Sequence, residues 1–333
     1  MALIFMLGLL LTAWLHYPSQ RQLEEVPRYG MKCSGFSKVL LFYFMSDATG
    51  FLANLGHLDH KGKPLAPSLP AAAEQAAWES QLACYVNILI GLQAASLSDW
   101  SKVKRCLEIT KDLSDSSDTL SLLQLYLSGV YEQGIANLDK ALSIFQDRRF
   151  NLEVVTQPIA RTTNITYELS VLAALNRIWI MQAPMNRNEA KTAELVESLR
   201  PLCEESSDIE IRTAFHLVLA AIQTEPALSI NQVKRHIQQS LQGAQQTANT
   251  QCLSIALNIM RYRLFENVVG EQALKSARAG AAQAKKSGNL LWMSVADGML
   301  AQSFEMQGIL DEARATKENG IRLANEALAR TQC

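Results

Sequence analysis

The sequence lacks the excesses that mark specialised chains. Its formal net charge is -1, only 7% of its 333 residues are aromatic, and no long basic run occurs. Without a cationic surplus there is no source for the phosphate attraction that dominates nucleic-acid affinity, so direct DNA binding is expected to be weak or absent. Disorder is excluded from the other side, because 48% of the residues are apolar and only 19% are charged. The six cysteines (Cys33, Cys84, Cys106, Cys203, Cys252 and Cys333) form no short-spaced pair of the kind a structural zinc site needs. They read as reduced, mostly buried thiols. Long apolar runs are missing too. Met1 to Trp14 is apolar but falls short of the roughly 20 residues of a membrane span, and it has neither a positive leader nor a small-residue cleavage site. A buried helix is the expectation there, and a membrane anchor is disfavoured.

Catalytic signatures are absent as well: there is no G-x-S-x-G elbow, P-loop, dinucleotide fingerprint or H-E-x-x-H helix. The best local metal candidate is His57, Asp59 and His60, yet Gly56, Gly62, Pro64, Pro67 and Pro70 surround it and no fourth ligand is implied. A solvated loop is the simpler reading. His216 sits in AFHLVLAA as a core or groove residue, and His236 shares a polar helix face with Lys234 and Arg235. Neither has a visible Cys or carboxylate partner, and His16 is remote from both. Lys102, Lys104 and Arg105, then Lys234, Arg235 and His236, then Arg261 and Arg263 make three small basic clusters, expected to be solvated faces. Asn164 to Thr166 fits a glycosylation sequon without an export signal to support it, and the polar stretch 112–118 is a loop whose serines are open to modification. No catalytic, cofactor-binding or metal-binding residue is expected, nor any small-molecule substrate; the sequence alone leaves the partner-binding residues open.

What the chain does have is leucine and alanine in helical periodicity, with glycine and proline confined to short clusters. After the breaker-rich KGKPLAPSLP at 61–70, apolar spacing predicts a helix over 71–95 and a second over 99–113, joined by a brief turn. The pattern then repeats. Pairs are predicted at 120–132 with 138–147, 162–182 with 188–203, 208–223 with 231–248, 252–266 with 270–286, and 290–307 with 310–328. Trp78, Trp100, Trp179 and Trp292 lie in these helices and are expected to plug the core.

Small residues test the repetition further, because they must lie where the two helices of a pair touch. In the last pair Leu300, Ala301, Phe304, Gly308 and Ala313 fall at the relative places of a tetratricopeptide unit. Gly129 precedes Ala141 by twelve residues with Phe145 four later, and Gly91 precedes Val103 by the same twelve with Leu107 following. Equivalent positions such as Gly91 and Gly129, or Arg261 and Ala301, are 38 and 40 residues apart, longer than the usual 34. The expected fold is therefore all-α, a divergent tetratricopeptide-like helical-hairpin solenoid over residues 71–330. An atypical N-terminal helical region with a Pro/Gly-rich loop is expected to precede it over 1–70.

Two stretches, LYLSGVYEQGIANLDKALSIFQ at 125–146 and GNLLWMSVADGMLAQSFEMQGILDEARATKENG at 288–320, resemble the fungal branch of the cohesin-loading factors. The resemblance runs from about residue 35 to residue 328. It implies a noncatalytic, nuclear, chromatin-associated scaffold that clasps the N-terminal segment of the large HEAT-repeat loader subunit and supports sister chromatid cohesion. Cohesin and chromatin would be reached indirectly, through that partner. Members of the family are usually longer, which implies that this chain is shortened at its apolar start. The competing expectation is a tetratricopeptide adaptor of another assembly, such as those of the proteasome, the signalosome or the anaphase-promoting complex.

Overall fold

The structure, a computed structural model, describes residues 84–332 apart from 86, 113–117, 153–164, 207, 223–227 and 266–269. Among these residues every regular element is a helix. The first stretch, 87–96, is labelled α1. It is followed by α2 (Trp100–Thr110), α3 (Asp118–Gly134), α4 (Leu138–Phe145), α5 (Ile165–Ile180) and α6 (Glu189–Glu204). Then come α7 (Ile209–Ala221), α8 (Ile230–Gln246), α9 (Thr250–Phe265), α10 (Glu271–Ser287), α11 (Leu290–Met306) and α12 (Leu310–Gln332). None of them is long and apolar enough to cross a membrane. The paired helices expected from 120 onward are all present, with ends that differ from expectation by a few residues as frayed termini do. The expected helix over 71–83, the loop at 61–70, the candidate metal residues His57, Asp59 and His60, Trp78 and the glycosylation sequon's Asn164 lie outside the described residues.

Each odd-numbered helix packs on the even-numbered one after it, and odd helices also touch the next odd helix from α3 through to α11. Two layers result, and side-chain composition explains which helix goes where. The central odd helices are buried on nearly every side: α7 is buried at Ile211 and at every residue from Thr213 to Ala221. The even helices bury one stripe, as α8 does with Val233, His236, Ile237, Ser240, Gly243 and Ala244, and keep a polar face outward. Trp100, Trp179 and Trp292 are all buried, as the periodicity predicts.

The joints repeat one backbone device. Ser98, Ala136, Ala248, Gly288 and Gly308 all have positive φ, between 53° and 74°. At four of them the next amide bonds back across the helix end: Asp99 to Ala94, Asn137 to Glu132, Asn249 to Ala244 and Ile309 to Phe304. This closure satisfies the orphan carbonyls of the finished helix. At three joints the residue after the left-handed one caps the next helix through its side chain: Asp99 accepts from Lys102 N, Asn249 from Cys252 N and Asn289 from Trp292 N.

Within the hairpins, small residues permit close approach, as expected. A Cβ on Gly129 would lie 2.7 Å from the Phe145 ring, and one on Gly91 would lie 2.7 Å from Leu127 and 3.2 Å from Cys106 Cβ. Ala141, Ala301 and Ala313 are buried. Ser254 Oγ donates to the Gly280 carbonyl at 2.9 Å, and Ser294 Oγ donates to the Gly320 carbonyl at 2.8 Å. The second bond is the first shifted by forty residues, so the long period read from the sequence is visible as a repeated contact.

The array also turns back on itself. Helix α12 touches α2, and the buried Asn289 donates from Nδ2 to the Ser96 carbonyl at 2.5 Å and to Ser98 Oγ at 3.2 Å. First and last described hairpins therefore meet across more than 190 residues of chain.

Candidate partner-binding surfaces

A polar concavity lies along the seam of α7 and α8, next to the end of α6. Asp208 starts α7 by accepting from Glu210 N at 2.7 Å, and Ser229 starts α8 with a capping box closed by Gln232. Thr213 presses against Gly243, where any Cβ would overlap the threonine hydroxyl, and this sets how closely the two helices approach. The resulting cavity of about 370 Å³ is lined by Arg212, Thr213, His216, Arg235, Gln239 and Gln242, among others.

His216 and His236 meet at the edge of this seam. Their Nδ1 atoms are 3.2 Å apart and the rings are stacked, with centroids at 5.3 Å. Two facing ring nitrogens need one donor and one acceptor, so the pair is not stable with both rings charged. Burial, then the neighbouring His236 and the arginines Arg235, Arg212 and Arg200, hold His216 down to about 4. Burial and the same arginine environment lower His236 as well. The rings are neutral at neutral pH and serve as hydrogen-bonding groups. Arg200 is itself held by Glu197 at 2.9 Å and Glu204 at 3.2 Å, and Arg212 donates to the Ser206 carbonyl. Gln239 adds a buried Oε1 that has no partner. His216 lies in the core or groove as the sequence implies, but His236, expected on a polar helix face with Lys234 and Arg235, is instead buried on the inner stripe of α8, where it meets His216. The available signal was symmetry, since Pro226 lies midway between them and antiparallel helices bring together residues equidistant from their joint.

A second cavity, of about 770 Å³, lies between α1 and α2 and is lined by Ile90, Lys102, Lys104, Arg105, Cys106 and the exposed Ile109, among others. Here the first basic cluster of the sequence does form a surface. The third does not. Arg261 is fully buried, with Nε donating to Ser303 Oγ at 2.8 Å and the guanidinium also reaching the Phe265 carbonyl and Met306 Sδ. It joins α9 to α11 as a core cross-link, because its helix face points at the next hairpin.

Nothing in these surfaces assembles a nucleophile or a metal. The four described cysteines are buried free thiols, and burial pushes each of them up, away from the reactive thiolate. No group of three or more His, Cys, Asp or Glu among the described residues is placed to hold a metal ion. At the start of α7, burial and the adjacent Asp208 and Glu168 raise Glu210 well above the ordinary carboxylate range, and one of its oxygens is buried without a partner.

Paired helices with exposed polar seams and inert thiols define a helical-hairpin scaffold, a class that works by holding other proteins. Comparison with protein families takes this one step further. The family model described as cohesin loading factor matches residues 51–311, and the chain belongs to that family. It is thus a noncatalytic protein of cohesin loading. Comparisons with curated proteins and with solved structures return no match.

Proposed function

We propose that this chain is the scaffold subunit of a cohesin loader, binding the N-terminal segment of the large HEAT-repeat loader subunit. Through that partner it supports loading of cohesin onto chromatin in the nucleus, and hence sister chromatid cohesion. The observation that carries the reading is the family match across 51–311, together with an array of hairpins whose tetratricopeptide-like spacing suits capture of an extended chain. A near-neutral protein acts on DNA most simply through another subunit. An extended, disordered segment is a fitting ligand, because paired helices offer a long surface over which many modest contacts offset its ordering entropy.

The test is recovery of the tagged full-length chain from cells, with the bound proteins identified by mass spectrometry. Co-purification of the large loader subunit, lost when its N-terminal segment is deleted, is the expected result. Recovery of a different stable assembly, without that subunit, would overturn the proposal in favour of an adaptor role elsewhere.

A further inference from the structure

Three helices bring arginine to one place. Arg200 comes from α6, Arg212 from α7 and Arg235 from α8, and the charge of all three acts on His216. Arg200 is already engaged, since Glu197 and Glu204 hold it. Arg212 gives one nitrogen to the Ser206 carbonyl, and among the described residues neither Arg212 nor Arg235 forms an ion pair. Both line the cavity of about 370 Å³ between α7 and α8.

That cavity is open to solvent with every helix where it stands. Glu204, Arg235, Gln242 and Gln246 in its lining are exposed, whereas Thr213 and His216 are buried and form its floor. Two guanidinium groups face the single carboxylate of Glu204, an excess of one positive charge in a chain whose formal net charge is -1. Gln239 has the opposite need, because its Oε1 is buried and no donor meets it. A ligand that satisfies both brings one negative charge with an N–H close by. An aspartate or glutamate in an extended chain carries the two together, the carboxylate on its side chain and the amide on its backbone. A phosphorylated side chain fits less well: its charge of nearly two exceeds the single excess charge and sets it against Glu204 and the Gln239 oxygen.

We propose that the cavity between α7 and α8 docks an acidic side chain of an extended partner segment, with Arg212 and Arg235 holding the carboxylate and Gln239 accepting from the segment's backbone. The bidentate fork of each arginine makes the carboxylate the specific contact, and the glutamines make the site tolerant of the residues on either side. The site goes beyond the loader-subunit reading and depends on no identity for the partner, only on its chemistry.

The probe is a short end-blocked peptide of alternating aspartate and alanine carrying a fluorophore, titrated with the full chain at neutral pH and followed by fluorescence anisotropy. Arg235→Gln removes an exposed guanidinium without breaking an ion pair among the described residues, and affinity should fall about tenfold. Gln239→Leu should weaken binding several-fold while raising the midpoint of urea unfolding, because it deletes an unmet buried acceptor from the free protein. Lys104→Gln, on the separate surface of α1 and α2, is the charge control and should leave affinity unchanged. No binding by the wild-type chain, equal affinity for the peptide with asparagine in place of aspartate, or unchanged affinity in both R235Q and R212Q would overturn the site. An equal loss in K104Q would reduce it to general charge attraction and overturn it as well. Tighter binding of a phosphoserine peptide of the same length would overturn the carboxylate as its ligand, and a lowered midpoint in Q239L would overturn the part given to Gln239. None of these outcomes bears on the loader subunit, which is decided by the co-purification above.

Discussion

At the left-handed joint positions, residue identity conflicts with backbone need. Gly288 and Gly308 adopt positive φ freely, but Ala136 and Ala248 do so against the clash between Cβ and the following carbonyl, which costs about 1 kcal/mol or more. Ala136 is exposed and packs on nothing that its methyl group would be missed from. Ala136→Gly should therefore raise stability by about 1 kcal/mol, read as a higher midpoint in urea without a change in slope. Glu210 presents the opposite problem, a group that belongs to the fold by position and burdens it by charge. Its folded pKa is raised above the ordinary 4.5 by burial and by Asp208 and Glu168, so the folded chain binds more protons than the unfolded one above that pH. Stability contributed by the neutral acid is present below 4.5 and is lost as pH rises through the folded value. Glu210→Gln should raise the melting temperature at pH 7.5, and the gain should shrink towards nothing as the pH approaches 4.5.

At the scale of the element, each hairpin depends on where its glycines face. Gly134 ends α3 against the Trp100 ring, so closely that any Cβ would overlap the indole carbons, and Trp100 is buried and has nowhere to go. Gly298, inside α11, has nothing within 4 Å of its would-be Cβ. The same substitution should act with opposite signs: Gly134→Ala should cost about 2 kcal/mol through overpacking, whereas Gly298→Ala should gain up to about 1 kcal/mol from helix propensity alone. Chemical denaturation of the two single variants checks both. The glycines that the sequence spacing singled out, Gly91 and Gly129, belong to the first kind, since both sit where two helices touch.

At the scale of the molecule, layering decides what the scaffold offers a partner. The all-round apolar α7 is drawn inside and the one-sided α8 is left to form the surface, so the seam between them is polar even though nearly half the residues are apolar. The seam of α7 and α8 shows the consequence: its lining includes Arg212, Arg235, Thr213, Gln239, Gln242 and His216, suited to hydrogen-bonding an extended backbone. The resemblance implied a clasp, and the structure adds that the described ends of the array are already in contact through Asn289.

The sequence alone determined the helices, their pairing and the close approaches at Gly91 and Gly129, because these follow from local periodicity and from the size of residues a fixed distance apart. It determined the burial of the four described cysteines and of Trp100, Trp179 and Trp292 for the same reason. Tertiary structure alone decided three things. It placed Arg261 in the core rather than on a basic face, brought His216 onto His236, and set Asn289 against Ser96 and Ser98. Each depends on how far one hairpin is rotated relative to another, a quantity fixed by packing summed over the whole array and written in no single stretch of residues.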